Sequence, residues 1–326
     1  MKKIFITREL PANSIELLKK HHDVEVFSQN RPIRKNELIK LASDADAIVS
    51  LLTDKIDKDV IDSMPNCKII ANYAAGFNNI DVEYATQKKI IVTNTPDILT
   101  DATADLTIAL ILACSRRIVE GDKVLRENKF KGWSPNYMLG MDLNRKILGI
   151  IGAGRIGTAV IKRAAAFGMK SIYFSRKKNE FIEKNYSARR VSLKKLLTTA
   201  DIISLHVPLN NSTYKLLNIE NLKLLKRTAI LINTSRGEVI DEETLINLLK
   251  SKSIHSAGLD VYKNEPKVNP KFMKLKNVVL LPHIGSATIE TRMNMATLAI
   301  KNVINVLSGI KALTPVNIIK VGYEKK

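Results

Sequence analysis

Residues 146–157 read Lys-Ile-Leu-Gly-Ile-Ile-Gly-Ala-Gly-Arg-Ile-Gly, and this stretch decides how the fold is interpreted. The apolar run at 147–151 predicts a buried strand. The next six residues have the spacing G-x-G-x-x-G, and apolar residues then recur at helical spacing as far as Phe167. A strand, a glycine turn and a helix in this order are typical of a dinucleotide-binding site. A glycine-rich turn that binds no ligand is the alternative.

Each glycine of this turn has an expected role. Gly152 would permit the tight turn, Gly154 would let the backbone approach a pyrophosphate, and Gly157 would let the helix pack on the strand. The pyrophosphate would lie at the helix N-terminus, where free N–H groups and the helix dipole favour negative charge.

The residues after the second strand, predicted at 171–174, bear on the choice of cofactor. An NAD-preferring site places an acidic residue there to accept hydrogen bonds from the ribose. This chain has Ser175, Arg176, Lys177 and Lys178, and its first acid is Glu180. A hydroxyl followed by cations suits a 2′-phosphate, so the sequence favours NADPH, with NAD as the alternative cofactor. A solvated basic loop is the non-functional alternative.

Composition indicates a soluble protein of two domains. The chain has 326 residues, of which 45% are hydrophobic and 26% charged. The apolar run at 4–6 is too short for a signal peptide, and the run at 106–114 is too short to span a bilayer. Cys67 and Cys114 make no disulfide framework and lack the spacing of a metal site. We therefore expect a cytoplasmic protein without a membrane or metal partner.

The net charge of +20 raises the question of nucleic-acid binding. The lysines are dispersed rather than gathered in one basic arm, and few aromatic residues lie among them to stack on bases. We interpret the charge as a solvated surface and expect no nucleic-acid partner. A modest positive field would also attract an anionic cofactor and substrate.

Strand and helix patterns alternate along the whole chain, which predicts an α/β protein with parallel sheets. Strands are predicted at 3–6, 24–27, 47–50, 68–73, 90–92, 147–151, 171–174, 201–206, 229–233, 256–261 and 278–281. Helices are predicted in the first domain at 35–41 and 82–88, between the sheets at 101–126 with Thr100 as the cap, and near the end at 289–307. The second half could form a six-stranded doubly wound sheet.

This alternation predicts two Rossmann-like or flavodoxin-like domains with the active site in the cleft between them. The first domain would comprise residues 1–100 and would be rejoined by 287–326. The dinucleotide-binding domain would comprise 101–286.

Four polar segments lie at or just after predicted strand ends, where an open α/β sheet places its site. They are residues 72–81, 233–237, 258–266 and 281–285. Together they supply a backbone nest, a cation, a carboxylate and an imidazole. This set suits hydride transfer to a 2-keto acid, whose carboxylate needs donors and whose forming alkoxide needs a proton.

On these segments, the chain resembles the D-2-hydroxyacid dehydrogenase family and, within it, the glyoxylate/hydroxypyruvate reductase branch. The matching motifs occur in the same order over nearly all of the chain: Asn-Tyr-Ala-Ala-Gly at 72, Thr-Asp-Ala-Thr-Ala-Asp at 100, Gly-Trp-Ser-Pro at 132, Phe-Ser-Arg at 174, Asn-Thr-Ser-Arg-Gly at 233 and Pro-His-Ile-Gly-Ser-Ala-Thr at 282. The resemblance also implies a homodimer formed through the nucleotide domain.

The resemblance assigns roles to single residues. The catalytic residues would be Arg236, Glu265 and His283. Ala75 and Gly76 would bind the substrate carboxylate, and Trp133 would wall the pocket. Cofactor contacts would fall on Gly152, Ala153, Gly154, Arg155, Ile156, Gly157, Ser175, Arg176, Lys177, Thr234 and Asp260.

Each catalytic residue also has a plain structural explanation. Arg236 could enter a helix and pair with Glu238, Glu265 could be a turn residue before a proline, and His283 could be a histidine at a strand end. The joint pattern favours catalysis, whereas His206 is given a structural or cofactor-side role. In the expected mechanism, protonated His283 donates to the substrate oxygen as hydride arrives, and Glu265 orients the imidazole and favours its charged form.

The expected reaction is reduction of glyoxylate to glycolate and of hydroxypyruvate to D-glycerate. Dehydrogenation of D-lactate, phosphoglycerate or phosphonate would use the same catalytic set and remains an alternative. Some relatives are NAD-sensing corepressors, which the net charge leaves open, but an intact catalytic set argues against that function.

Overall fold

The computed structural model describes residues 1–11 and 14–319, and the chain divides into two compact units. Unit 1 comprises Met1–Leu99 and the described residues from Ser286 onward, and unit 2 comprises Thr100–Gly285. Each unit is built on one sheet in which every strand pairing is parallel. The predicted α/β class with parallel sheets is therefore confirmed.

The sheet of unit 1 has five strands in the order β2-β1-β3-β4-β5, as in flavodoxin-like folds. The strands are β1 (Lys3–Ile6), β2 (Asp23–Val26), β3 (Ala47–Leu51), β4 (Ile69–Tyr73) and β5 (Ile91–Thr93). Central strands such as β4 are buried on both faces, as their continuous apolar sequences require.

Helices cover both faces of this sheet. They are α1 (Glu16–Lys19), α2 (Lys35–Leu41), α3 (Lys58–Asp62), α4 (Val82–Gln87) and α13 (Ile289–Leu307). One core packs α2, α3 and α4 against the sheet around Phe5 and Ile70. The other packs α1 and α13 against the opposite face around Ile4 and Met295. The last helix therefore belongs to the core of unit 1.

The sheet of unit 2 has seven strands in the order β12-β11-β10-β9-β6-β7-β8. They are β6 (Ile147–Ile151), β7 (Lys170–Phe174), β8 (Arg189–Arg190), β9 (Ile202–Leu205), β10 (Ile230–Asn233), β11 (Ser256–Leu259) and β12 (Val278–Leu280). This is Rossmann order with one further strand. The prediction of six strands missed β8, because an exposed pair of arginines at a sheet edge carries no apolar signal.

The helices of unit 2, except α6, form two layers. The helices of this unit are α5 (Thr100–Arg116), α6 (Ile118–Arg126), α7 (Arg155–Ala166), α8 (Glu180–Tyr186), α9 (Leu193–Thr199), α10 (Ile219–Leu222), α11 (Glu242–Lys250) and α12 (Pro270–Met273). Buried residues of α5, α7 and α8 pack on one face of the sheet. Those of α9, α10, α11 and α12 pack on the other face.

The prediction of one helix over 101–126 is wrong. Arg117 adopts φ 53°, in the left-handed region, and separates α5 from α6. The sequence has no glycine or proline at this point, so the break was not predictable from local signals. Thr100 is the first residue of α5 rather than its cap.

The apolar run at 106–114 lies within α5, and none of the helices in the described part of the chain is long and apolar enough to cross a membrane.

Short polar side chains set many helix starts in both units. In each case a side-chain oxygen accepts a hydrogen bond from an amide of the first turn, which satisfies one of the unpaired N–H groups there. These capping residues are Asp57, Asp81, Asn179, Ser192, Asn218, Asp241, Asn269 and Thr288.

Candidate active site

The glycine turn between β6 and α7 excludes side chains at two positions. Gly152 has φ +100°, and a Cβ there would lie 2.6 Å from the carbonyl oxygen of His206. A Cβ on Gly157 would lie 2.2 Å from the carbonyl oxygen of Gly152. At Gly154, in contrast, an added Cβ would meet no described atom within 4 Å. The turn is thus closed towards the protein and open at Gly154, where a ligand can approach the backbone.

The N-terminus of α7 lies at this opening. Gly154 is the N-cap and offers no side-chain hydrogen bond to the first-turn amides. Arg155 and Ile156 begin the helix, and its first turn contains no acidic residue. The positive end of the helix dipole therefore meets no carboxylate of this turn, which suits an anion such as a pyrophosphate. Ala153, on the other side of Gly154, is buried.

A pocket of about 720 Å³ opens beside this turn. Its lining residues are Ala153, Gly154, Ser175, Arg176, Lys177, Lys178, Asn179 and Glu180. Lys178 pairs with Glu183 at 3.3 Å, whereas Arg176 and Lys177 form no ion pair with another described residue. The pocket therefore combines the glycine turn with a hydroxyl and two available cations, and these residues fit an adenosine ribose that carries a 2′-phosphate.

Asn179 joins the two halves of the pocket and was missed by the sequence analysis. Its Nδ2 donates to the carbonyl oxygen of Ala153 at 2.9 Å and to Oγ1 of Thr158 at 2.9 Å. Its Oδ1 accepts from the amide of Ile182, which caps α8. An Asn three residues before an apolar helical position is a signal for a cap, but the contacts with the glycine turn depend on the tertiary fold.

The ends of three neighbouring strands bring the predicted catalytic residues together. Arg236 follows β10, Glu265 follows β11 and His283 follows β12. Nδ1 of His283 lies 2.6 Å from Oε2 of Glu265, and about a quarter of each side chain is exposed. The other carboxylate oxygen, Oε1, accepts from the amide of Tyr262 at 2.9 Å. The carboxylate is thus oriented by the backbone and in turn orients the imidazole.

The electrostatics of Glu265 reflect these contacts. Burial raises the pKa of its carboxyl, but the hydrogen bond and charge of His283, the Tyr262 amide and the charge of Arg236 outweigh burial and lower the pKa overall. Glu265 is therefore a carboxylate near neutral pH, and Arg236 is close enough to act on it. The structure assembles an imidazole, a carboxylate and a guanidinium in unit 2.

Arg236 is presented by a hydrogen-bonded turn after β10. Its Nη1 donates to the carbonyl oxygen of Ser235 at 2.7 Å. Buried Asn233 donates from Nδ2 to the carbonyl oxygen of Arg236 at 2.9 Å and accepts at Oδ1 from the amide of Ser235 at 3.0 Å. Burial lowers the pKa of Arg236, and the Glu265 and Glu238 carboxylates oppose this effect. Asn233 therefore shapes the turn that carries the guanidinium.

Asp260 holds the segment that contains His283. His283 adopts φ 56°, a conformation that costs energy for a residue with a Cβ. The Asp260 carboxylate accepts from the amides of Ile284 and Gly285, each at 2.8 Å. Burial raises the pKa of Asp260, against the influence of these amides and of His283. The resemblance gives Asp260 a cofactor contact, whereas the structure places its carboxylate on the backbone that follows His283.

Threonines of α5 connect the same strand ends, although no site role was predicted for them. Thr103 Oγ1 donates to the carbonyl oxygen of Gly285 at 3.1 Å, and Thr107 Oγ1 donates to the carbonyl oxygen of Thr103 at 2.8 Å. Thr107 Oγ1 also lies 3.0 Å from Oγ1 of Thr234, a predicted cofactor contact. Two threonines four residues apart on an otherwise apolar helix face were the available signal.

The predicted carboxylate-binding turn lies in unit 1, just after β4. Asn94 Nδ2 donates to the carbonyl oxygen of Ala75 at 2.7 Å, and Asn72 Nδ2 donates to that of Gly76 at 2.9 Å. The asparagine side chains hold the turn by its carbonyl groups. The amides of Ala75 and Gly76 donate to no backbone group of residues 1–11 and 14–319, so they are available to bind an anion.

His206, at the end of β9, has no direct place among the catalytic residues. Its Nε2 lies 2.9 Å from Oγ of Ser204, and its Nδ1 meets no hydrogen-bonding partner within the described chain. The residue is partly exposed, but its Nδ1 is buried, and burial lowers its pKa to about 3. Its carbonyl oxygen abuts Gly152, so His206 supports the glycine turn as a neutral residue.

Trp133 is largely exposed in this structure. It lies in the irregular segment after α6, and 82% of its surface is exposed. Little of the indole contacts the rest of this chain, and its role as a pocket wall stays a prediction.

Comparison with known proteins gives consistent similarities. Residues 108–285 match the family described as D-isomer specific 2-hydroxyacid dehydrogenase, NAD binding domain. The chain is 49% identical over 311 residues to the glyoxylate reductase of Thermococcus litoralis, and the match covers 94% of each chain.

Solved structures agree with these matches over almost the whole chain. A protein of Thermus thermophilus superposes with a TM-score of 0.91 at 41% identity, covering 97% of this chain and 100% of that one. The NADPH-dependent glyoxylate/hydroxypyruvate reductase of Sinorhizobium meliloti, solved with NADP and malonate, superposes with a TM-score of 0.85 at 30% identity, covering 97% and 96%.

Proposed function

Because the chain belongs to the D-isomer specific 2-hydroxyacid dehydrogenase family, we propose that it reduces a small 2-keto acid, glyoxylate first, with NADPH. Family membership makes it an oxidoreductase with a nicotinamide-dinucleotide-binding domain. The observation that carries the proposal is the pair formed by His283 and Glu265 at 2.6 Å, beside Arg236, at the carboxyl ends of parallel strands.

In this mechanism the residues of unit 2 manage the proton and the substrate charge. NADPH, when bound, supplies the hydride that reduces the keto carbon. His283 uses Nδ1 to donate to Glu265, so Nε2 is the nitrogen that holds a proton for the substrate oxygen. Glu265 fixes the ring so that Nδ1 faces the carboxylate and Nε2 faces the substrate, and it balances the imidazolium charge. Arg236 binds the carboxylate and polarises the carbonyl oxygen as negative charge develops there.

Ala75 and Gly76 are proposed to bind the substrate carboxylate. Their available amides support this role, since backbone N–H groups in a turn can cradle an anion. The family resemblance implies the same two residues.

The preference for NADPH is supported by the composition of the 720 Å³ pocket. Ser175, Arg176 and Lys177 line it where an NAD site would place an acid, and the acid that does line it, Glu180, begins α8. The S. meliloti relative is named as NADPH-dependent and was solved with NADP. We propose that NADPH is preferred over NADH and that NADH is used poorly.

A substrate panel assayed with NADPH and NADH tests the function. We expect kcat/KM to be highest for glyoxylate and hydroxypyruvate, lower for pyruvate and lowest for 3-phosphohydroxypyruvate. Among the residues proposed to bind the substrate, Arg236 is engaged by the carboxylate and carbonyl groups and leaves no second cation for a distant phosphate. A preference for the phosphorylated acid would replace this proposal with phosphoglycerate dehydrogenation. Absence of turnover with every 2-keto acid would favour the corepressor-like alternative.

We also propose that the protein is a cytoplasmic homodimer. Both cysteines are free and buried, as suits a reducing compartment. None of the residues of α6 is buried within the chain, and Ile118, Val119 and Leu125 are each more than half exposed. An apolar helix face of this kind suits a second copy of the chain.

Light scattering after size-exclusion chromatography tests the dimer. We expect a dimer for the native protein and a monomer for Leu125→Asp, whereas Leu17→Asp, at an exposed leucine of unit 1, should remain dimeric. A native monomer, or a dimer that tolerates Leu125→Asp, would contradict this interface.

A further inference from the structure

The segment of residues 175–178 must present several positive charges without support from a helix or strand. It connects β7 to the start of α8, and its three cations, Arg176, Lys177 and Lys178, are exposed. Neighbouring like charges repel one another, and backbone outside regular structure costs entropy to hold in one conformation. A defined binding surface at this place therefore needs a tether.

Arg190 supplies such a tether from the edge of the sheet. It lies on β8, opposite Tyr173 of β7, and the amide of Val191 donates to the carbonyl oxygen of Tyr173 at 2.9 Å. Its Nε donates to the carbonyl oxygen of Ser175 at 3.1 Å, and its Nη2 donates to that of Arg176 at 2.8 Å. One guanidinium thus binds two consecutive carbonyl groups of the segment.

We propose that Arg190 is a positioning residue for cofactor selection, because it holds the Ser175–Arg176 backbone in the conformation that receives the 2′-phosphate of NADPH. The inference rests on the proposed NADPH preference and adds to it a residue that lies outside the pocket lining. In this proposal, the edge strand β8 serves to hold the backbone of the cofactor-binding segment.

Two physical effects support this role. The rigid fork of a guanidinium can engage both carbonyls at once, so the segment loses little further freedom when an anion binds. The same contacts place a cationic donor on two carbonyl oxygens whose partial negative charge would otherwise act on the anion. A lysine could bind only one carbonyl at a time with comparable geometry.

The test measures binding of two fragments that differ at the 2′ position, 2′,5′-ADP and 5′-AMP, by calorimetry on the full chain. For Arg190→Ala we expect the Kd of 2′,5′-ADP to rise by about tenfold and that of 5′-AMP by less than about twofold. Arg190→Lys should fall between the native protein and Arg190→Ala. In steady-state assays the KM for NADPH should rise, while kcat at saturation should stay close to the native value.

Arg189→Ala is the matched control, since Arg189 is the neighbouring exposed cation and projects from the other side of the strand. It removes the same charge and should change the ratio of the two Kd values by less than about twofold. An equal effect of both alanine variants would mean that Arg190 acts only through net charge and would overturn the proposal. An unchanged ratio in Arg190→Ala, or equal weakening of both fragments, would overturn it as well.

The native protein separates this failure from failure of the proposed function. Equal binding of 2′,5′-ADP and 5′-AMP by the native protein would refute the NADPH preference, and the role of Arg190 would fall with it. A native preference that survives Arg190→Ala would refute only the role of Arg190. Urea unfolding of each variant confirms that a folded protein is compared, and Arg190→Lys decides the matter if Arg190→Ala does not fold.

Discussion

Oε2 of Glu265 lies 2.6 Å from Nδ1 of His283, while Oε1 of the same carboxylate is bound by the amide of Tyr262. The backbone therefore sets the orientation of the carboxylate, and the carboxylate sets that of the imidazole. Asp260 adds a second constraint, because it binds the two amides that follow His283. His283, the proposed acid, is thus fixed through its side chain by Glu265 and through the backbone after it by Asp260.

Replacing His283 by alanine should lower kcat for glyoxylate reduction by roughly 10²–10⁴, the usual contribution of a positioned acid. Binding of NADPH, followed by fluorescence titration, should change little, because no residue of the cofactor pocket is altered. His255→Ala, at an exposed histidine, is the control and should retain native turnover. Near-native turnover in His283→Ala would remove His283 from its proposed role.

Replacing Glu265 by glutamine should lower kcat for glyoxylate reduction. The carboxylate is fixed by the amide of Tyr262 at 2.9 Å and lies 2.6 Å from Nδ1 of His283, so it orients the ring and offers it a charged partner. Without that partner, kcat should fall by roughly 100-fold or more, while the KM for NADPH should change little. A native kcat in steady-state assays of Glu265→Gln would remove Glu265 from its proposed role.

Replacing Ser175 by aspartate should reverse the cofactor preference. The new carboxylate can accept hydrogen bonds from ribose hydroxyls but repels a 2′-phosphate, so kcat/KM for NADPH should fall by at least about 100-fold. The value for NADH should rise. Asn185→Asp adds the same charge on an exposed part of α8 and should leave the preference unchanged. If the native enzyme already uses NADH as well as NADPH, the cofactor assignment is wrong.

His206, whose ring nitrogen Nδ1 is buried, should make the stability of the protein depend on pH. Burial lowers its pKa to about 3, below the ordinary value of 6.5. Between these values the unfolded chain binds a proton that the native chain does not, so the free energy of unfolding falls as the pH drops from about 6.5 towards 3.

In His206→Asn, the loss of unfolding free energy between roughly pH 7 and pH 5 should therefore be smaller by about 1–2 kcal/mol. Urea denaturation followed by circular dichroism at both pH values measures the difference. His21→Asn, at an exposed histidine, should behave like the native protein. An identical loss in His206→Asn would show that other groups control acid stability.

Much of the fold was predictable because periodicity and helix-start signals agree. The predicted helix bounds 35–41 and 289–307 coincide with α2 and α13, and the strand at 147–151 coincides with β6. The break at Arg117 was not predictable, since an arginine carries no preference for positive φ. The edge strand β8 was missed because its two arginines bury no apolar face.

The candidate site also has one part that the sequence predicts and another that depends on the tertiary fold. His283, Glu265 and Arg236 stand in segments that end apolar strands, so their meeting at one sheet edge follows from parallel topology. The attachment of Arg190 to the backbone of the 175–176 segment depends on how β8 pairs with β7, which no local pattern records. The exposure of Trp133 likewise depends on the course of the loop after α6.

The placement of α13 has a consequence for biosynthesis. This helix buries Met295, Ala299 and Val303 against the sheet of unit 1, yet all of unit 2 is translated between that sheet and the helix. Residues 100–285 are contiguous and can fold as they leave the ribosome, whereas the first sheet must wait with one apolar face covered only in part, by α1. The nascent chain should therefore complete its second unit before its first, and during that interval it offers chaperones a binding surface.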